Sequence, residues 1–397
     1  MTVQLQGILF LAGYVVMQGC IALLTEYVIN HYKLIEKLGR RTRILRLVIY
    51  IMLALIPVFG AYLPPSSFKY HCMMIGNLWF AFFMFYSFFV ILFSLIALIR
   101  SKSNGKNTSR LIGWSLTIAF IPALIISVYG LVHAQNTKLT TVDVDVDTNG
   151  AYTGELKVVL LGDLHLSVNS NLAMTQRMVD LVNAQDPDVV VIAGDIFTSN
   201  YQGLRQAERY AEVLSQMHAR DGVYAVYGNH DVDEDLFLGF AISPLSEAFR
   251  SREMEEFFED AGFITLEDEA VTIADGNICL VGRIDGEKAG DGTRDRMSAE
   301  ELLSDVDTTL PVIVLQHEPI EYESLAANGA DVVLSGHTHA GQIFPGNLIV
   351  PYFNENAYGL KYMHGIATVV TSGVGYYGPP IRVGTDSEVM VVNISFS

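Results

Sequence analysis

Acidic residues are almost missing from the first third of the chain. Residues 1–133 contain two, Glu26 and Glu36, against eleven Lys or Arg, whereas residues 134–397 hold forty-one acids and fourteen bases. Net charges of +9 and −27 make up the overall −18. So sharp a division argues for two regions in different surroundings, and 397 residues suffice for two domains. Cysteine is equally sparse: Cys20, Cys72 and Cys279 stand alone, which excludes a disulfide framework and any thiolate metal or redox spacing. There is no internal repeat, no low-complexity segment and no G-x-S-x-G elbow, so a serine-nucleophile hydrolase is disfavoured. A −27 region repels nucleic-acid backbones and attracts divalent cations.

What the first third has instead is long apolar runs, at 8–29, 45–63, 74–99 and 111–132. Each has about the 20 residues a helix needs to cross a bilayer, and four in succession predict a four-helix transmembrane region over 1–133. The opening MTVQLQG lacks the basic flank of a cleaved signal peptide. Lys33, Lys37, Arg40, Arg41 and Arg43 lie between the first two runs, and Arg100, Lys102, Lys106 and Arg110 between the last two; the middle loop has Lys69 alone. Basic loops stay cytoplasmic, so the expectation is a multi-pass cell-membrane protein with residues 134–397 on the extracytoplasmic side. The runs carry no charge away from their ends, which argues against a transporter. Glu26, near one such end, reads as an interface anchor.

After 133 the periodicity changes. Residues 137–148 alternate apolar and polar side chains, as a half-buried edge strand does, and 134–155 read as linker plus that strand. From 156 onward, apolar runs at 156–163, 187–195 and 222–231 alternate with helical patterns at 172–185 and 203–219, which is a parallel α/β unit. Residues 270–285 read as a hairpin with an Asp-Gly turn, and further strands are expected at 310–319, 330–339, 365–375 and 388–396. The expected α/β domain, 156–397, has two β-sheets packed face to face and flanked by helices.

Five strand ends carry polar residues: Asp163 and His165, Asp195, Asn229 and His230, His317, and His337 and His339. Singly, an Asp there reads as a cap, Asn229 as a turn former and the histidines as loop or strand-end residues. Together they are N and O donors suited to divalent metals, and so many at one sheet edge would be costly without cations. A dinuclear centre satisfies them: two metals clamp a phosphate and hold a bridging hydroxide. Asp231 is expected to orient His230.

The motifs GDLH (162–165), GD (194–195), GNHD (228–231), QH (316–317) and GHTH (336–339) resemble those of the calcineurin-like metallophosphoesterases. GHTHAGQI and TSGVGYYGPPIR further resemble the membrane-associated bacterial branch with the YkuE-like phosphoesterases and the lipid A precursor hydrolases. The resemblance implies the four-layer α/β/β/α fold. It implies that Asp195 bridges two metals, that Asp163, His165 and His339 hold one, and that Asn229, His317 and His337 hold the other. His230 then reaches the phosphate, and with Asp231 makes up the catalytic pair. Donors without cysteine suit Mn²⁺, the preferred metal, and also Zn²⁺, Fe or Co; no organic cofactor is expected.

The expected reaction is hydrolysis of a phosphoester or pyrophosphate by a hydroxide held between the metals, with His230 donating a proton or a hydrogen bond. Tethering at the bilayer favours a lipid-linked phosphate. The alternatives are a phosphodiesterase or phosphatase for soluble nucleotides or other small phosphoesters, and, more remotely, a non-enzymatic metal-binding receptor or scaffold. Residues 233–249 and 350–363 are unusually apolar or aromatic. They read either as satellite core or as an apolar groove for acyl or isoprenoid chains.

Overall fold

The computed structural model describes residues 3–31, 40–104, 108–148, 150, 152–199, 201–241, 249–286, 288 and 296–397. Loop residues Lys33, Lys37 and Lys106, and 242–248 of the apolar segment after the GNHD motif, lie outside the described residues. The elements in chain order begin with helices α1 (Val3–His31), α2 (Arg40–Tyr62), α3 (Ser67–Asn104) and α4 (Thr108–Ala134). Then come β1 (Lys138–Val146), β2 (Gly154–Leu161), α5 (Leu172–Asn183), β3 (Val189–Ala193), α6 (Ala207–Leu214) and β4 (Val223–Val226). They continue with β5 (Leu236–Phe237), β6 (Phe240–Ala241), α7 (Arg252–Asp260), β7 (Ile264–Thr265), β8 (Glu269–Ile273) and β9 (Ile278–Gly282). The last are α8 (Ala299–Leu303), β10 (Val312–Leu315), α9 (Tyr322–Ala327), β11 (Val332–Ser335), α10 (Gly346–Ile349), β12 (Gly359–Met363), β13 (Ile366–Val370) and β14 (Glu388–Phe396).

Two compact units result. One comprises residues 1–132 together with 235–244 and 378–381, and the other comprises 133–234, 245–377 and 382–397.

In the first unit, three helices are long and apolar enough to cross a membrane among the described residues: Arg41–Tyr62, Ser67–Arg100 and Trp114–Ala134. The first apolar run forms α1, in which the described apolar stretch is Phe10–Glu26, shorter than those three. Several polar side chains find partners on neighbouring helices. Tyr14 donates to the carbonyl of Ala54, and Tyr50 to the side chain of Gln18. Glu26 accepts from Arg43 at 2.8 Å and from Arg46 at 2.9 Å, which neutralises the acid near the end of α1.

The same unit includes a hairpin whose attachment periodicity does not foretell. Strands β5 and β6 pair antiparallel around Leu238 and Gly239, with φ of 58° and 83°. Two positive φ angles in a two-residue loop match the twist of a tight hairpin, and glycine takes the second without strain. Phe237 and Leu238 are buried in one cluster with Tyr14 and Ala61, and Phe10, Val58, Phe80 and Phe240 pack against it. Phe10 meets Phe237 and Phe240 edge-on at 5.9 and 5.6 Å. Phe237, Leu238 and Phe240 are thus packed against the apolar helices, whereas Phe249 at the end of the segment is half exposed.

In the second unit the described strands form two six-stranded sheets, ordered β1-β14-β2-β3-β4-β7 and β12-β13-β11-β10-β9-β8. The expected edge strand is β1, parallel to β14, and the expected hairpin is β8–β9. Side chains alternate faces along each strand. Val158, Leu160, Val189 and Val191 of the first sheet share one core with Leu280, Ile313, Leu315, Val332 and Leu334 of the second. Their neighbours Val159, Leu161, Val190 and Ile192 turn outward onto Met178, Val182, Leu214, Phe257 and Phe258 of α5, α6 and α7. The outward residues Val312, Val314 and Val333 meet Leu302, Leu303, Tyr322 and Leu325 of α8 and α9. Strands covered on both faces need the unbroken Val/Ile/Leu runs seen in the sequence. The helix expected over 203–219 is shorter: Gln206 takes φ of 64°, so the regular turns begin at Ala207 and end at Leu214.

Candidate metal centre

β2, β3 and β4 are parallel neighbours, as are β10 and β11, and all five end at the same edge of the unit. The residues just past their ends converge there, where open α/β sheets build sites. Asp163, His165, Asp195, Asn229, His230, His317 and His339 are all buried.

The donors gather around two points. At the first, His165 Nε2 lies 3.0 Å from His339 Nε2, and His339 Nε2 lies 3.7 Å from Asp163 Oδ1. At the second, His317 Nε2 lies 3.1 Å from Asn229 Oδ1 and 3.1 Å from His337 Nδ1. Asp195 joins them: its Oδ2 is 3.5 Å from His165 Nε2 and 3.2 Å from His317 Nε2. Ligand atoms of Asp163, His165 and His339, and those of Asp163, Asp195 and His317, are close enough together to hold an ion.

Strain and close approach make this convergence possible. Asp163, His165, Asp195, His337 and His339 all have φ between 46° and 72°, the left-handed region that non-glycine residues seldom adopt. Gly194, at φ of 78°, lets two strand ends meet: a Cβ there would lie 2.7 Å from Gly228 N and 2.9 Å from His317 Nδ1.

The electrostatics of His165, His337 and His339 suit cation binding, whereas His317 must release a proton to coordinate. Burial pulls His165 and His337 down to about 4, and His339 well below its ordinary range, so these imidazoles are neutral and their lone pairs are free to coordinate. Burial also opposes charge on His317, but the Asp195 carboxylate outweighs it and holds that ring well above the usual value. Asp195 in turn resists the upward pull of burial through His317, His230 and His165, and stays well below the carboxylate range. Asp163 is pushed up to about 7 by burial. Buried N and O donors of this kind fit divalent metals, whose charge compensates the carboxylates.

A second ring of contacts fixes these rings. His317 Nδ1 lies 2.7 Å from the carbonyl of Ala193 and donates to it, leaving Nε2 to face the cluster. His165 Nδ1 lies 3.1 Å from Thr198 Oγ1. The backbone N–H of His337 donates to Asp163. The fully buried Arg382 donates to the carbonyls of Ser372, Gly375 and Asp386 and comes within 3.3 Å of His339 Nδ1.

His230 stands beside the donors. Its backbone N–H donates to Asp195 Oδ1 at 2.8 Å, and its ring Nδ1 lies 2.9 Å from Ser199 Oγ. Asp231, expected from sequence to orient this ring, has its two carboxylate oxygens on backbone N–H groups. The Asp231 carboxylate turns inward and accepts from the backbone N–H groups of Phe197 and Gly228, both at 2.8 Å, because these buried donors at adjacent strand ends would otherwise go unpaired. The orienting groups are Ser199 and Tyr377. The Tyr377 ring stacks on His230, and its backbone is clamped at both N–H and carbonyl by the side chain of Gln342. Both residues lie within the stretches GHTHAGQI and TSGVGYYGPPIR, but nothing in their spacing assigns them this task.

Residues 156–341 match the family model described as calcineurin-like phosphoesterase. The chain is similar to a transmembrane protein with metallophosphoesterase domain from Danio rerio, 33% identical over 73% of this chain and 65% of that protein. It is also similar to uncharacterized metallophosphoesterases of Campylobacter jejuni, 30% identical over 68% of each chain, and of Aquifex aeolicus, 31% identical over 60% of this chain and 85% of that one. The chain thus spans slightly under two thirds of the length of the transmembrane relative.

Proposed function

The chain belongs to the calcineurin-like metallophosphoesterase family, and on that premise we propose that it is a metal-dependent phosphoester hydrolase held at a membrane. The observation that carries this reading is the pair of donor clusters sharing Asp195 Oδ2. Asp163, His165 and His339 hold one divalent cation, Asn229, His317 and His337 the other, and Asp195 reaches both. Bound there, such cations lower the pKa of water and neutralise phosphoryl oxygens.

The chain's own residues do the rest. His230 lies outside both donor sets and faces the substrate, where it donates to the phosphoryl group or to the leaving oxygen. Ser199 and Tyr377 hold its ring, Gln342 holds Tyr377, and Arg382 holds the loops around His339. Asp231 braces the turn that carries Asn229 and His230. The four-layer α/β/β/α arrangement belongs to the same reading, supported by helices against the outward face of each sheet.

The proposed substrate is a lipid-linked phosphate or pyrophosphate. Support comes from the three long apolar helices, which would tether the hydrolytic site at a bilayer. In this reading α1 serves as the fourth span, and the basic loops favour residues 134–397 lying outside the cytoplasm. Mn²⁺ is the preferred metal. Assignment to the bacterial membrane-associated branch rests on the GHTHAGQI and TSGVGYYGPPIR stretches.

Chelator-stripped protein in detergent should lose turnover of an aryl phosphodiester or monoester and regain it with Mn²⁺ or another divalent metal. Asp195→Asn should lower the content of both metals together. Turnover indifferent to metal would refute the reading. A panel of phospholipids, isoprenyl pyrophosphates, nucleotide-linked lipids and soluble nucleotides then identifies the substrate, and a preference for soluble nucleotides would reject the lipid.

A further inference from the structure

Residues 342–354 contain no charged side chain, although they lie in the region with a net charge of −27. They follow the GHTH loop and coil into consecutive short helical turns, Gly346–Ile349 and Val350–Tyr352. The turns expose apolar side chains: Phe344, Leu348 and Ile349 are about half exposed, Tyr352 is 86% exposed and Phe353 80%. Contiguous exposed aromatics and aliphatics of this kind mark a contact surface.

The loop beneath this segment says what covers it. Phe344 donates its N–H to the carbonyl of Val383, Thr385 Oγ1 donates to the carbonyl of Gln342, and Asn347 Nδ2 donates to the carbonyl of Gly384. The same loop grips the end of α4. His133 Nε2 lies 2.8 Å from Asp386 Oδ1 and 3.1 Å from the carbonyl of Thr385, and Ser387 Oγ donates to the carbonyl of Ala134. His133 and Ala134 are the last residues of α4, and the apolar stretch Trp114–Ala134 ends there. One short loop, 383–387, therefore bonds both to the exposed turns and to the residues where the chain leaves the bilayer.

We propose that residues 344–353 form a membrane-contact element, lying in the interface with Phe344, Leu348, Ile349, Tyr352 and Phe353 at the boundary of headgroups and acyl chains. Its lack of charge fits this place, since a strongly acidic domain is repelled by anionic headgroups and can rest on lipid only through a neutral apolar face. Aromatic rings and short apolar turns are the side chains and structures that settle there. The inference rests on the membrane attachment, not on the hydrolytic reading.

The test uses the full chain, with Cys20, Cys72 and Cys279 replaced by Ala, in phosphatidylcholine nanodiscs. An environment-sensitive fluorophore is attached at Tyr352→Cys, or at Arg252→Cys, whose side chain is 85% exposed on α7. Lipids spin-labelled at a shallow acyl carbon should quench the label at 352 several-fold more than the label at 252. Adding Leu348→Asp and Phe353→Asp should abolish the difference. Equal quenching at both sites, or none at 352, overturns the proposal. So does shielding of 352 that depends on protein concentration, which would make the face an interface between copies. None of these readouts requires metal or turnover, so failure here is distinct from failure of the hydrolase reading.

Discussion

The ring of Tyr377 stacks on the imidazole of His230, with centroids 4.3 Å apart and planes 29° from parallel. Such contacts are worth about 0.5–1.5 kcal/mol beyond the area they bury. Tyr377→Ala should therefore lower kcat by roughly two- to tenfold while leaving metal content unchanged, and Tyr377→Phe should restore most of it. Metal loss in Tyr377→Ala would show that the ring supports the donors instead.

His230 itself should matter more. His230→Ala is expected to keep about two metals per chain and to lower kcat by roughly 10²–10⁴, the usual contribution of a positioned acid–base group. Metal analysis beside steady-state kinetics checks this. If metal leaves together with activity, His230 is a ligand.

Asp231 predicts a stability effect. Asp231→Ala leaves the N–H groups of Phe197 and Gly228 without their buried acceptor. Each unpaired donor costs about 1–3 kcal/mol, so a clear fall in the unfolding midpoint is expected. An unchanged midpoint with reduced kcat would return Asp231 to the catalytic group.

The hairpin makes a prediction opposite to that of an acyl groove. Phe237 is fully buried among helix side chains, so Phe237→Ser should lower thermal stability in detergent. Its truncation is expected to cost about 3–5 kcal/mol, as for other buried aromatics. A raised KM confined to lipid substrates, with stability intact, would favour the groove.

Orientation is tested on intact cells. With the native cysteines removed, Arg252→Cys should react with an impermeant thiol reagent and Ser103→Cys should not. The reverse pattern would put the metal centre in the cytoplasm and favour nucleotide-linked precursors as substrates.

The proposed donors are legible in the sequence because metal coordination demands particular side chains, and parallel strands deliver them at their carboxyl ends. Asp163, His165, Asp195, Asn229, His317, His337 and His339 each follow an apolar run, and a run of Val and Ile bounded by Gly is a strong local signal. The apolar helices are equally visible, since a bilayer imposes length and composition on a contiguous segment. Groups that act across the chain are not legible. Nothing near Asp231 tells whether it faces His230 or the amides of Phe197 and Gly228, and nothing near Tyr377 tells that Gln342 will clamp it over an imidazole. The same holds for the two apolar or aromatic segments, 233–249 and 350–363. Composition marks both, but only packing decides that Phe237 is enclosed by helices while Phe353 is left bare. Burial depends on which distant residues arrive, and that is fixed by the meeting of sheets and helices rather than by any local pattern.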